Sequence, residues 1–180
     1  MLEIIVPGIE FFDELNDTFI QVPDTKLHLE HSLAAISKWE SKYCVPYLLE
    51  DDRTYEQNVY YIQCMTLDED VDPLVYDALT MKNIADIKEY MEKEQSATTI
   101  SSVEKSFNRD RIITSELIYY WMTALNIPFE CDKWFFGRLM KLISVCSEEN
   151  APRKKKPKDD VKKQYRELNA KRRAMTGSKG

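Results

Sequence analysis

Two histidines, four cysteines and one acidic run are the groups in this chain whose types and spacing could do chemistry. His28 and His31 lie in KLHLEH (26–31), whose alternation predicts a strand with Leu27 and Leu29 on one face and His28 and Glu30 on the other. The two histidines then fall on opposite faces, which weakens a paired-ligand site, and both are expected at an exposed strand end. Cys44, Cys64, Cys131 and Cys146 form no CxxC pair, so a metal centre would have to be assembled from distant pieces. They read as reduced, small apolar residues. The run LDEDVD (67–72) places Asp68, Glu69, Asp70 and Asp72 together but lacks the central Gly and terminal Glu of a calcium loop. It reads as a solvated acidic loop, as does Asp51-Asp52. Scattered Ser and Asp compose no triad with two histidines. Four glycines, and neither GxGxxG nor GxxxxGK[ST], argue against a Gly-rich nucleotide loop. The reading is a protein that is not an enzyme and holds no cofactor.

Charge carries more information. The net charge of −6 divides unevenly: residues 152–180 hold twelve Lys or Arg against Asp159, Asp160 and Glu167, a net of +9, which leaves −15 on residues 1–151. The basic tail admits three readings: contact with nucleic-acid phosphates, folding back on an acidic body, or docking as an amphipathic helix in a partner's groove. It has Tyr165 but no aromatic interleaving of the kind that stacks bases, so nucleic acid ranks below a protein partner. No apolar run reaches membrane-spanning length, and the quickly acidic N-terminus is not a signal peptide, so no membrane association and a cytosolic location are expected.

The elements that must position these residues follow in chain order. Residues 2–6, 9–13, 18–22 and 26–31 read as strands of a small N-terminal antiparallel sheet over 1–31, which must pack on helices to be stable. The helical body spans 32–150. Ser32 caps a helix carrying Leu33, Ile36, Trp39 and Tyr43, which ends near Cys44 because Pro46 disfavours helix at Val45. Thr54 starts the next, with Val59, Ile62 and Met65. Asp72-Pro73 opens a short helix with Val75, Tyr76 and Leu79, and Asn83 caps one with Ile84, Ile87, Tyr90 and Met91. Residues 95–110 read as a loop. A helical hairpin over Ile112–Cys146 closes the body. Its first helix starts at Thr114 and ends at Asn126, and its second carries Cys131, Phe135, Leu139, Leu142 and Cys146 on one stripe. Gly137 in that stripe suggests close approach of another backbone. Residues 151–158 are a linker, and 159–180 a basic amphipathic helix with Tyr165 and Leu168 on its thin apolar stripe and a disordered end. The fold class is therefore α+β, a mostly helical body with a small N-terminal sheet. The apolar excess nominates Trp39, Tyr119, Tyr120 and Trp134 on the body, and Tyr165 and Leu168 on the tail, as partner-contact residues.

The blocks HSLAAISKWESKYCVPYL (31–48), YIQCMTLDEDVDPLVYDALT (61–80), ITSELIYYWMTALNIPFECDKWFFGRLMKLISVC (113–146) and RELNAKRRAMTG (166–177) resemble tail assembly chaperones of long-tailed, siphovirus-like bacteriophages. The resemblance covers Leu2 to Gly177, and its motifs are structural, with no reacting atom among them. It implies a non-enzymatic role in virion assembly in the host bacterial cytoplasm: binding the tape measure protein, keeping it soluble and extended, and helping tail-tube protein polymerise around it. It also implies absence from the mature virion and, in many members, a longer form made by ribosomal frameshifting. Self-association as a homo-oligomer is compatible with the apolar excess. The competing readings are a structural tail-tip or connector component, and a nucleic-acid-binding protein using the basic tail.

Overall fold

The computed structural model describes residues 1–13, 17–49, 52–98, 112–150 and Arg166. Leu2–Asp13 and Thr18–Leu29 form an antiparallel arm made of two ladders: β1 (Leu2–Val6) pairs with β4 (Thr25–Leu29), and β2 (Ile9–Asp13) with β3 (Thr18–Val22). Val6↔Thr25 and Ile9↔Val22 are the pairs on either side of the break between the ladders, so two residues are skipped in each strand and the register is unchanged. Pro7-Gly8 faces Pro23-Asp24 in that break. Proline has no N–H to give a ladder, and two of them on facing strands interrupt pairing. The Gly8 amide donates instead to Asp24 Oδ1 at 2.6 Å. A Cβ at Gly8 would lie 2.7 Å from the Val22 carbonyl oxygen, so the close approach there requires glycine.

The proximal ladder is buried on one face through Ile4, Val6, Leu27 and Leu29. The free edge of β4 is covered by the segment after the second helix. The Glu30 amide donates to the Met65 carbonyl, the Leu67 amide to the His28 carbonyl, and the His28 amide to Asp68 Oδ2. Asp68 Oδ1 also lies 2.7 Å from His28 Nδ1. Asp68 is therefore an edge cap and not a solvated loop residue. These hydrogen bonds hold its carboxyl below the usual carboxylate range.

Helix α1 (Leu33–Tyr43) is central. Ser32 accepts from the Ala35 amide, and the helix ends at Cys44 in the left-handed conformation, φ 56°. Its Ile36 and Trp39 enter one core, shared with the arm, α2 (Tyr55–Met65), α3 (Leu74–Asp77) and α4 (Met81–Glu92). Its Leu33 enters a second core with α5 (Ser115–Ala124), the 3-10 turn Phe129–Lys133 and α6 (Phe136–Asn150), through Ile118, Met122, Cys131, Leu139 and Ile143. Local chemistry sets the boundaries. Thr54 and Gln57 form a capping box on α2, and Thr80 and Asn83 one on α4. Helix α4 thus starts at Met81, with Asn83 inside its first turn rather than capping it, and Asn83 Nδ2 ties the helix to the Ile5 carbonyl at 3.0 Å. Asn126, at φ 54°, ends α5, with the Ile127 amide on the Met122 carbonyl and the Asn126 amide on Thr123.

Two expectations are revised in the closing hairpin. Its second half is not one helix from Cys131: a 3-10 turn comes first, Phe135 is extended and bridges Ser32, and the α-helix starts at Phe136, whose amide donates to the His31 carbonyl at 2.7 Å. Anchoring Phe135 across α1 outweighs helix continuity. Gly137 accommodates the Phe135 ring, not another backbone, since a Cβ would come 2.9 Å from that ring. The expected loop over 95–110 is seen as far as residue 98, and the rest lies outside the described residues, as do the linker and nearly all of the basic helix.

The two cores are joined by a buried acid. Glu40 Oε1 accepts from the Tyr47 amide at 2.8 Å and Oε2 from the Ser115 amide at 2.7 Å. Glu40→Gln turns an acceptor into an N–H group facing an N–H donor, and should cost about 2–3 kcal/mol of stability in urea unfolding; a loss below about 0.5 kcal/mol, the range of ordinary surface changes, would refute the joint. The neighbouring Ser115 Oγ is buried without a hydrogen-bond partner. Ser115→Ala should therefore leave stability unchanged or raise it by up to about 1 kcal/mol in the same assay.

Candidate functional site

The nominated contact residues separate by depth. Trp39 is 0% exposed, with Nε1 donating to the Gln57 carbonyl at 3.0 Å. It is a core residue and not a surface contact: its indole is enclosed by Tyr43 and Tyr47. Tyr119 is half-buried and donates to Asp132 Oδ2 at 3.0 Å, which pins α5 to the 3-10 turn. Burial and the Asp132 carboxyl push its phenol well up. Tyr120 is 65% exposed and Trp134 36%, the latter under the Arg138 guanidinium at 4.6 Å. Ile112 and Phe129 join them as exposed apolar side chains of the closing hairpin. Tyr165 and Leu168 lie outside the described residues.

His31 is buried, against the expectation of an exposed strand-end histidine. The reversal follows from Ser32 and Phe135 bridging at the start of α1, which folds the strand end inward. Its Nδ1 lies 2.6 Å from the Tyr61 hydroxyl, and the rings of Tyr61, Phe135 and Phe136 surround it edge-on. Tyr61 stacks on Tyr47 at 4.1 Å, and the Arg53 guanidinium sits 4.0 Å over Tyr47 while donating to its carbonyl. Burial, helped by the Arg53 charge, lowers the His31 pKa to about 4, and burial raises Tyr47 to about 12. With those pKa values neither group is set for proton transfer near neutrality.

This cluster ends a groove of about 560 Å³ between α2 and α4. Tyr55, Asn58, Val59 and Ile62 form one wall and Ile84, Ile87, Lys88 and Met91 the other, both at helical spacing, with Tyr47 and Arg53 at the end. Sequence reading places Val59 and Ile62 on one helix and Ile84, Ile87 and Met91 on another, without pairing the two. Their spacing gives the two faces but not the splay between the helices, which comes from both being held to the arm.

The distal ladder is the other unpartnered feature. Phe12 and Phe19 pair across it with centroids 5.0 Å apart, and both are exposed, Phe19 at 67%. Val22 and Phe11 on the opposite face contact the core. Adjacent Phe11 and Phe12 were the legible signal, since neighbours on a strand face opposite ways and both faces must then be apolar.

All four cysteines are free, and among the described residues no group of His, Cys, Asp and Glu is arranged to hold a metal ion. Among the same residues no helix is long and apolar enough to cross a membrane. Comparison with protein families, curated proteins and solved structures returned no match.

The buried histidine has a measurable consequence. Below about pH 6.5 the unfolded chain takes up a proton that the folded chain refuses. Stability therefore falls as pH drops, until about 4, where folded His31 also titrates. Between about pH 7.5 and about pH 4.5 the wild type should lose roughly 2–3 kcal/mol more than His31→Gln in urea unfolding. Parallel pH profiles for the two proteins would refute it.

Proposed function

We propose that this chain is a non-enzymatic phage tail assembly chaperone that binds the tape measure protein in the host cytoplasm and promotes tail-tube assembly. The sequence blocks resembling that family supply the client's identity. The observation that carries the binding role is the exposure of Ile112, Tyr120, Phe129 and Trp134 on the closing hairpin. A hairpin whose inner face already fills a core through Ile118, Met122 and Leu139 has no folding reason to keep large apolar groups outside. Aromatic side chains in that position give contact area at low entropic cost to a long helical client with exposed apolar stripes.

Co-expression with the tape measure protein of the same genome, followed by size-exclusion chromatography with mass determination, tests this. A soluble co-eluting complex is expected, with the client insoluble alone. Tyr120→Glu with Trp134→Glu should weaken the complex by about tenfold or more, the effect of losing interface anchors. Absence of a complex, with the protein found at fixed copy number in purified particles, would favour a structural tail component instead.

A further inference from the structure

The α-amino group of Met1 is held where three segments meet. The proximal ladder pairs Leu2 with Leu29, so its register carries Met1 opposite Glu30, one residue beyond the last pair. The Met1 nitrogen lies 2.7 Å from Glu30 Oε2 and donates to the Tyr90 hydroxyl at 2.7 Å. That hydroxyl donates in turn to Glu30 Oε1 at 2.6 Å, which closes a ring of three groups. Burial and the Glu30 carboxylate push the Tyr90 phenol well up, so it keeps the proton it donates. Tyr90 belongs to the last turn of α4, and its ring meets Phe135 edge-on at 5.4 Å. The Glu30 side chain is 12% exposed, and among the described residues the Met1 ammonium is the one cation paired with it. A carboxylate so enclosed is costly without a counter-charge. An ammonium brings a full charge and three N–H donors, whereas an amide at the same nitrogen brings one donor and no charge.

We propose that Glu30 and Tyr90 form a seat for an unblocked α-ammonium group, so that the Met1 amine is a modification site whose acylation, by formyl or acetyl, unfastens the start of the arm from α4. Acylation replaces one hydrogen on the nitrogen with an acyl carbon and takes away the charge that Glu30 Oε2 meets. The reverse step is hydrolysis: water added across the C–N bond of a formylated Met1 gives the ammonium and formate. An enzyme that hydrolyses formamides therefore switches the seat on. Residues placed ahead of Met1 turn its amine into an amide and act as a block of the same kind. The seat is separate from the aromatic face of the closing hairpin and does not depend on the client-binding proposal.

Three forms of the full-length chain are compared by amide hydrogen exchange: one with Met1 free, one with the formyl group retained by inhibiting deformylation during expression, and one with Gly-Ser ahead of Met1. Intact mass fixes the state of each amine. The amides of β1 should exchange about tenfold faster or more in both blocked forms, the size of losing one charge-assisted contact. Blocking should act through the seat, so in Glu30→Gln it should change exchange by less than about twofold, as a double-mutant cycle requires of coupled groups. Equal exchange in the free and formylated wild type, or a blocking effect of full size in Glu30→Gln, overturns the proposal. Should Glu30→Gln melt early, Tyr90→Phe serves: it keeps the ring against Phe135 and removes the hydroxyl. The blocking effect should shrink by about half or more there, and an undiminished effect counts against the seat.

Discussion

The Glu40 carboxyl joins what would otherwise be two separate cores. It projects from the last turn of α1 and closes hydrogen bonds on the Tyr47 amide after that helix and on the first amide of α5. A buried acid is costly unless its lone pairs are met, and here both oxygens have a backbone donor. The Ser115 amide is one of the helix-start donors with no partner inside its own helix. Acid and helix end thus satisfy each other. The geometry fixes α5 against α1, sets the position of Ile118 and Met122, and allows Leu33 to reach the second core from a helix whose Trp39 fills the first.

A second constraint acts through His31. Its carbonyl receives the Phe136 amide, and its ring is packed among Tyr61, Phe135 and Phe136. Three separate stretches of chain meet there: the end of the arm, α2, and the junction of the extended Phe135 with the start of α6. The histidine works as a neutral, hydrogen-bonded packing residue. The Tyr47–Tyr61–Arg53 stack continues the same cluster out to the groove.

Much of this was legible in the sequence, because local chemistry dictates it. Ser32, Thr54 and Thr114 cap helices where their hydroxyls suggest, Asn126 adopts the left-handed conformation ahead of Pro128, and the strand alternation of Leu27 and Leu29 predicts burial that is complete. The α+β class follows from these. What was not legible depends on contacts between distant segments. Trp39 looks equally apt for a surface or a core until α2 covers it. His31 looks like a strand-end residue until Phe135 bridges Ser32. Asp68 looks like one more acid in a solvated run until the β4 edge presents it with the His28 amide. The groove was beyond reach because helical spacing defines a face but not the distance to the next helix.

The facing prolines in the arm divide labour along a single hairpin. The proximal ladder is answerable to the core through Ile4, Val6, Leu27 and Leu29, and substitutions there are paid for in folding. The distal ladder inherits its register across the break and meets the core on one face only, through Val22 and Phe11, leaving Phe12 and Phe19 outside it. Phe12 and Phe19 can consequently be exchanged for other side chains without passing through a misfolded intermediate. The side chains at the tip are thereby free to drift in evolution while the body that displays them stays constant.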